Sequence, residues 1–250
     1  MLTRNLAFLH NQLADKKLAV NTDEPTPPAD SFFFRVFNKN LSVAESVLGT
    51  SFLQAMKKND LPPLNFGVMN VQDAYYCYRA EETYQTLLSV IDPADELMRE
   101  MRALVEDNFN GYKEYNQTFF DTWRIPTASS VNPTEVFINY AEHEHHIACS
   151  CEPIYTLVAM LPCYYLWYWF CSKMYPEMSS NNLYRDWVEG SLSTGSAYRI
   201  GNFIDKWQKN QQPFDEERAD EIYAASMNYE LQVFTEAYRP NVKLFTRGGI

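Results

Sequence analysis

Most of the chain shows the apolar spacing of amphipathic helices. Hydrophobic residues recur at intervals of three and four, which places them on one face of a helix. Prolines separate the periodic segments, because proline is tolerated in the first turn of a helix but not in its interior. The predicted helices cover residues 41–59, 64–90, 92–110, 133–150, 153–175, 180–209 and 215–238. The pattern therefore predicts an all-α fold, a single-domain helical bundle.

The spacing of these segments divides the chain into three parts. Residues 1–31 combine a short amphipathic N-terminal helix with a connector that holds three prolines between Thr22 and Ser31. Residues 32–240 contain no comparable break and are predicted to form one all-α domain, in which residues 112–130 look irregular. Residues 241–250 are predicted to be a C-terminal tail.

The most apolar segment, Pro153 to Ser172, runs for twenty residues without a charge. Its length alone fits a membrane span. Pro162 interrupts it, however, and its second half is rich in tyrosine and tryptophan, whose polar atoms belong at an interface or against a partner. A helix that is apolar all round is also typical of the middle of a large helical domain. We therefore expect a buried core helix and no membrane association.

Composition narrows the classes of protein further. The chain has only 8 Gly and 38 aromatic residues (5 Trp, 17 Tyr, 16 Phe), which argues against an all-β sandwich or a glycine-rich phosphate loop. The formal net charge of −11 repels phosphate backbones, so no nucleic-acid partner is expected. Five cysteines, an odd number, favour reduced thiols, and the first twenty residues lack the apolar core of a secretory leader. The expected location is cytoplasmic.

Several chemically reactive or polar residues fall on the apolar faces of the predicted helices. They are Asp73 and Tyr76 in 64–90, Tyr140 in 133–150, Cys163 in 153–175 and Glu230 in 215–238. A buried carboxylate is costly unless it is paired or protonated, whereas a buried cysteine or tyrosine is usually ordinary core. Together, a thiol, two carboxyl groups and tyrosines could add a nucleophile to a flat heterocycle that a carboxylic acid protonates.

Four segments resemble the motifs of TenA-type thiaminase II, the aminopyrimidine aminohydrolases with a haem-oxygenase-like helical fold. They are QDAYY at Gln72–Tyr76, LVAMLPCYYLWY at Leu157–Tyr168, LYRDWVE at Leu183–Glu189 and NYELQVFTEAY at Asn228–Tyr238. The resemblance covers roughly residues 40–240, and the 23-residue spacing from Tyr140 to Cys163 supports it. It implies an enzyme of thiamin metabolism that acts on a small molecule, needs no cofactor and forms a homo-oligomer, either a dimer or a tetramer.

The resemblance also implies a role for each candidate residue. Cys163 would be the nucleophile that adds to the pyrimidine ring of thiamin or of a degraded relative. Glu230 would protonate the ring nitrogen and later assist departure of the leaving group. Asp73 would bind the 4-amino group and the adjacent ring nitrogen. Tyr76 and Tyr140 would line the pocket and position the substrate.

Three positions in the pocket walls depart from the family. Trp167, a further substrate-binding candidate, and Ser191 stand where the family usually has tyrosine, and Val233 stands where it usually has phenylalanine. Ser191 and Val233 are smaller than the residues they replace and would admit an acceptor bulkier than water. The expected reaction is cleavage at the pyrimidine methylene with transfer to water. Transfer to an organic amine or thiol, as in thiaminase I, is the alternative.

Two other classes of protein compete with this interpretation. Residues 142–146 are a cluster of two glutamates and three histidines, in which Glu142 and His146, four residues apart, could share a metal ion. Di-iron oxidases are known to share the fold that the resemblance implies. Such sites draw ligands from several facing helices, and His10 is the only other histidine, so we expect a solvated polar face and no metal. A non-enzymatic protein that binds an aromatic ligand is the third class, against which the joint presence of Cys163, Glu230 and Asp73 argues.

Overall fold

The computed structural model describes residues 24–239, and this part of the chain contains ten α-helices and no β-strand. The helices are α1 (Phe32–Lys39), α2 (Leu41–Leu48), α3 (Ser51–Lys57), α4 (Pro63–Val90), α5 (Glu96–Trp123), α6 (Glu135–Ser150), α7 (Pro153–Met174), α8 (Arg185–Glu189), α9 (Gly195–Lys209) and α10 (Glu216–Glu236). Two short 3-10 turns lie at Ala128–Ser130 and Tyr175–Glu177. The all-α prediction is confirmed. The predicted N-terminal helix and C-terminal tail lie outside the described residues.

Two long helices organise the bundle. Helix α4 packs along α5 on one side and α6 on the other, and α7 packs against α6, α9 and α10. Each of these helices buries one face, so the space between α4, α6, α7 and α10 is enclosed by side chains from four elements. Residues on the inner faces of these helices therefore meet in one place.

Helix α7 is the core helix that its composition predicted. Every residue from Ile154 to Pro162 is buried. Within the described range, Pro153–Glu177 is the one segment long and apolar enough to cross a membrane, and 72% of its most apolar window is buried inside the protein. Pro162 lacks an N–H and crowds the carbonyl of Val158, yet the helix continues through it to Met174. The turn that carries Cys163 is thereby one backbone hydrogen bond short.

The prediction that residues 112–130 are irregular is wrong for most of that segment. Helix α5 begins after Asp95, whose side chain accepts a hydrogen bond from the Met98 N–H (2.8 Å), and continues to Trp123. It ends at Arg124, which adopts a left-handed conformation (φ 55°). The second half of the helix is held by tertiary packing of widely spaced side chains, notably the buried Phe119, rather than by a dense apolar stripe.

Three shorter corrections concern the other helix boundaries. The predicted helix 41–59 is two helices, because Thr50 is extended (φ −60°, ψ 148°) and breaks the helical backbone. The predicted helix 180–209 is also two, since residues 190–194 connect α8 to α9 without regular structure. Helix α1 was not predicted, because its cluster of phenylalanines, FFFRVF, shows little periodicity in so short a segment.

Helix α1 is fixed by a close approach to α9. The α-carbon of Gly201 faces Phe33, and a β-carbon at position 201 would lie 2.5 Å from Phe33 Cδ2 and 2.9 Å from Cγ. Phe33 is 1% exposed and packs edge-on against Tyr165 of α7. Because these atoms lie near the root of the phenylalanine side chain, Phe33 cannot move aside without shifting α1.

We expect Gly201→Ala to lower the free energy of unfolding by about 1–3 kcal/mol, the usual cost of overpacking a core. Gly111→Ala is the matched control, since nothing lies within 4 Å of the β-carbon it would add in α5. Alanine favours a helix interior over glycine by about 0.5–1 kcal/mol, so the control should be stabilised. Urea denaturation measures both. Equal stability of the two variants would contradict the close packing of α1 on α9.

Candidate active site

The six site residues predicted from the sequence line one small pocket inside the bundle. Helix α4 contributes Asp73 and Tyr76, α6 contributes Tyr140, α7 contributes Cys163 and Trp167, and α10 contributes Glu230. Phe137 and Val233 complete the wall. The pocket measures about 10 Å³, which is room for roughly one water molecule. We call it the inner pocket.

A larger cavity of about 190 Å³ lies on the other side of Cys163. Asp73, Cys163 and Trp167 border both spaces, so they form the partition between them. Three further tyrosines of the larger cavity come from α5 and α7: Tyr112, Tyr115 and Tyr164. This is the space that could hold a ring-sized ligand against the sulfur.

An ion pair lies on the exposed side of the larger cavity. Arg199 of α9 binds Asp107 of α5, and both residues line the cavity. The Asp107 side chain is 60% exposed, which places the pair at the mouth. Ser191, one of the positions that depart from the family, lies in the wall nearby.

Glu230 is a buried carboxyl group held by two neutral donors. The Tyr140 hydroxyl donates to Oε1 (3.0 Å) and the Trp167 indole N–H donates to Oε2 (3.2 Å). Burial raises the pKa of Glu230 to about 8, although both hydrogen bonds act to lower it. Below pH 8 the group is therefore a neutral acid that can give a proton to a bound base.

Cys163 lies between the two spaces with its thiol near two hydroxyl groups. Its Sγ is 3.8 Å from the Tyr112 hydroxyl. Burial raises the pKa of the Cys163 thiol well above its usual value, and the charges of nearby carboxyl groups, Glu230 foremost, raise it further. A hydrogen bond from Tyr76 lowers the pKa of the thiol and so opposes both effects. The thiolate is therefore scarce until a ligand supplies positive charge or a hydrogen bond.

Asp73 is half-buried on the face of α4 that points to the partition, three residues before Tyr76. A carboxylate in this position borders the cavity and the inner pocket at once. It can therefore accept hydrogen bonds from an amino group on a ring that rests against Cys163.

Three tyrosines stack beside the inner pocket. The rings of Tyr76 and Tyr140 lie 4.8 Å apart at 29°, and those of Tyr140 and Tyr229 lie 5.5 Å apart at 13°. The Tyr76 hydroxyl is hydrogen-bonded to Oε1 of Glu144 (2.9 Å). The stack fixes the two phenols that reach the carboxyl groups, so their hydroxyls have little freedom to turn away.

Sequence reasoning gave no role to Glu144, a third carboxyl group near the sulfur. It is 1% exposed, and burial raises its pKa well above the usual range. The signal was present in the sequence, since Glu144 follows Tyr140 by four residues and shares its helix face. Tyr112 and Tyr115 were also missed, because they fall in the half of α5 that was predicted to be irregular.

The segment 142–146, considered above as a metal site, makes other contacts. Glu142 forms an ion pair with Arg79 (2.8 Å), and His143 Nε2 lies 3.2 Å from the Ser226 hydroxyl. Burial lowers the pKa of His143. Between residues 24 and 239, no group of three or more histidine, cysteine or acidic side chains is arranged to hold a metal ion.

Solved structures share this architecture. A TenA homologue from Pyrococcus horikoshii OT3 superposes with a TM-score of 0.66 at 20% identity, covering 84% of this chain and 100% of that chain. A TenA family transcription regulator from Silicibacter sp. TM1040 gives 0.73 at 13% identity, covering 87% and 99%. A candidate TenA-like thiaminase from Sulfolobus solfataricus P2 gives 0.59 at 17% identity, covering 81% and 93%. These likenesses confirm the haem-oxygenase-like helical fold.

The family to which the chain belongs is identified by a sequence match. Residues 51–240 match the family model of the TENA/THI-4/PQQC family, and the chain belongs to this family. The predicted kinship with TenA-type proteins is thus confirmed. No curated protein sequence matches the chain significantly.

We predict that Glu230 makes the fold less stable as pH rises from about 5 to 8. Over this range the unfolded carboxyl ionises while the folded one, with its pKa raised to about 8, keeps its proton. Stability therefore falls by up to about 1.4 kcal/mol per pH unit on account of this group. Glu230→Gln should remove that slope in urea titrations across pH. Glu221→Gln, at an exposed position on the same helix, controls for the loss of one formal charge. If the free energies of unfolding of wild type and Glu230→Gln changed in parallel with pH, this would contradict a neutral carboxyl group at Glu230.

Proposed function

We propose that the protein is a thiaminase that cleaves thiamin or a related aminopyrimidine at the pyrimidine methylene, with Cys163 as nucleophile and water as acceptor. The observation that carries the proposal is that a thiol and a half-buried carboxyl group at the partition meet a buried carboxyl group of raised pKa in the inner pocket. Membership of the TENA/THI-4/PQQC family and the likeness to a candidate TenA-like thiaminase support it.

Substrate binding begins in the larger cavity. The pyrimidine ring rests against the Cys163 sulfur between tyrosine walls, and Asp73 accepts hydrogen bonds from its exocyclic amine. Thiamin carries a positive thiazolium ring, which would lower the pKa of the nearby thiol by favouring its charged form. The substrate thus supplies the positive charge that the unliganded site lacks.

Glu230 is the proposed acid. It donates its proton to a ring nitrogen, and a protonated ring accepts a nucleophile more readily. Tyr140 and Trp167 hold both carboxyl oxygens and so fix the direction in which the proton is presented. Glu230 lines the inner pocket, and Trp167 lies at the partition in front of it. The pyrimidine ring must therefore displace the Trp167 indole to reach Glu230. Trp167 is therefore expected to turn when the ring binds.

The covalent sequence balances with these groups. The Cys163 thiol loses its proton and forms an S–C bond to the protonated ring, and the displaced electron pair expels thiazole from the methylene carbon. Water then adds to that carbon, its proton returns to sulfur as the S–C bond breaks, and the ring proton returns to Glu230. A thiazolium cation leaves as neutral thiazole, so one proton is released for each turnover of thiamin.

Transfer to an organic amine or thiol is the second candidate function. The 190 Å³ cavity beside Cys163 favours it, because a single water molecule needs only about 10–15 Å³. Ser191 lies in the wall of this cavity, at a position where the family usually has the larger tyrosine. An acceptor bulkier than water would fit on the outer side of the sulfur.

We expect the wild-type protein to cleave thiamin and Cys163→Ser to form no product while keeping its fold. Cys149→Ser, which alters an exposed thiol, is the matched control and should retain activity. Mass analysis of the pyrimidine product, with and without an added amine or thiol, identifies the acceptor. A hydroxymethyl product indicates hydrolysis and an adduct indicates exchange. Binding of thiamin without any cleavage would favour a non-enzymatic binding protein and would contradict the proposed thiaminase activity.

The proposed acid also predicts a pH profile. The turnover number should fall about tenfold per unit above pH 8, as Glu230 loses its proton. Glu230→Gln should lose about 10²–10⁴-fold in rate, the usual worth of a general acid, while still binding substrate. Steady-state kinetics across pH and a separate binding titration measure the two effects. An unchanged rate in Glu230→Gln would remove this residue as the acid.

A further inference from the structure

Glu144 is a buried carboxyl group for which the proposed reaction has no use. Its Oε1 lies 2.9 Å from the Tyr76 hydroxyl oxygen. Its Oε2 is buried and has no hydrogen-bond partner in the described part of the chain. Burying a carboxyl group with one oxygen unpartnered is costly, and a role for the group would account for its presence.

Within residues 24–239, no cation faces Glu144 that could hold it as a carboxylate. The titratable groups that face it are Tyr76 and Tyr84 from α4, Tyr140 from its own helix, Cys163 and Tyr164 from α7, and Glu230 from α10. All of these are neutral or negative. Burial raises the pKa of Glu144 well above its usual range, hydrogen bonds with Tyr76 and Tyr140 lower it, and the Glu230 charge raises it. With no cation to offset the cost of burial, the neutral form of Glu144 is favoured.

The unpartnered oxygen shows where that proton lies. A proton on Oε2 would be a buried O–H donor with no acceptor, whereas Oε2 as a carbonyl oxygen lacks only a donor, and buried carbonyls tolerate this better than buried donors do. The lower cost of an unpartnered carbonyl favours a proton on Oε1, from which the neutral group would donate across the 2.9 Å that separate it from the Tyr76 oxygen. Tyr76 then accepts this bond and keeps its own proton for another partner.

Cys163 is that partner. Tyr76 and Cys163 line the same inner pocket, and a hydrogen bond from Tyr76 lowers the pKa of the Cys163 thiol. The Tyr76 ring is held by its stack on Tyr140, so the hydroxyl oxygen stays between the carboxyl group and the sulfur. Hydrogen bonds in a chain polarise one another, which makes Tyr76 a stronger donor when it also accepts.

We propose that Glu144 is a positioning residue that acts, as a neutral carboxylic acid, through Tyr76 on Cys163. It donates to the Tyr76 oxygen and so aims the Tyr76 hydroxyl at the sulfur, where it stabilises the thiolate. The inference rests on the proposed function only in taking Cys163 to be the reacting nucleophile. Glu144 lines neither the inner pocket nor the larger cavity.

The test measures the pH midpoint for alkylation of Cys163 by iodoacetamide, followed on the Cys163 peptide by mass spectrometry. Tyr76→Phe should raise the midpoint by about one pH unit or more, since a hydrogen bond to a charged sulfur is lost. Glu144→Met should raise it by a smaller amount. The double variant Tyr76→Phe, Glu144→Met should have the same alkylation midpoint as Tyr76→Phe alone, because Glu144 acts only through Tyr76.

Glu144→Gln is the matched conservative variant. Its amide N–H can donate to the Tyr76 oxygen, as the neutral carboxyl does, so the alkylation midpoint should stay at the wild-type value. Infrared spectra at neutral pH should show that this variant has lost one protonated-carboxyl band. A midpoint about one unit lower, with no band lost, would mean that Glu144 is ionised and would overturn the proposal.

Two further outcomes separate positioning from mere structural support. Equal shifts from Glu144→Met with and without Tyr76 would show that the carboxyl group does not act through the phenol. If Glu144→Met does not fold, which urea denaturation reveals, the Glu144→Gln midpoint and infrared band decide alone. Alkylation needs no thiamin, so failure to cleave thiamin would overturn the proposed function and leave this inference standing. Cleavage of thiamin together with equal Glu144→Met shifts with and without Tyr76 would overturn this inference and leave the proposed function standing.

Discussion

Among residues 24–239, no cation faces Glu144 or Glu230, and this constraint decides which protonation state is favoured for both carboxyl groups. A carboxylate in such a place would pay the full cost of desolvation with no opposite charge to offset it. The helices satisfy their own backbone hydrogen bonds, so the only donors available are side chains of neighbouring helices. For Glu230 those donors are a neutral phenol and an indole, and Glu144 lies beside the neutral phenol of Tyr76. Both carboxyl groups consequently remain protonated under conditions where a surface glutamate is charged.

This choice of donors explains part of the aromatic excess. Tyrosine and tryptophan combine a large apolar ring with one polar atom, so they fill the core and still reach Glu230 and Glu144. An arginine or lysine in the same position would have lowered the pKa of the carboxyl group and left it ionised. Tyr140 and Trp167 are neutral donors, so they leave Glu230 able to keep its proton at neutral pH. Trp167 also lines the inner pocket together with Val233.

The sequence indicated the site more completely than it indicated the helix boundaries. Asp73, Cys163 and Glu230 lie on strongly periodic helices, and periodicity alone is enough to turn such residues inward. The second half of α5 was missed because its apolar residues are sparse and are held by tertiary packing. Glu144 lies in a run of charged residues that looked solvated, and only its four-residue spacing from Tyr140 distinguishes it. The close approach of Gly201 to Phe33 joins distant parts of the chain, which no local pattern reveals.

The ion pair between Arg199 and Asp107 lies at the mouth of the larger cavity. It joins α5 to α9 across the mouth, and Asp107 is mostly exposed there. Exposed ion pairs are worth about 0.2–1 kcal/mol in water, so parting them would slow passage by only about fivefold at most. The mouth is therefore held weakly, while the partition behind it consists of three half-buried side chains, Asp73, Cys163 and Trp167. The ion pair at the rim thus adds little to the barrier that a small molecule meets on entering or leaving the cavity.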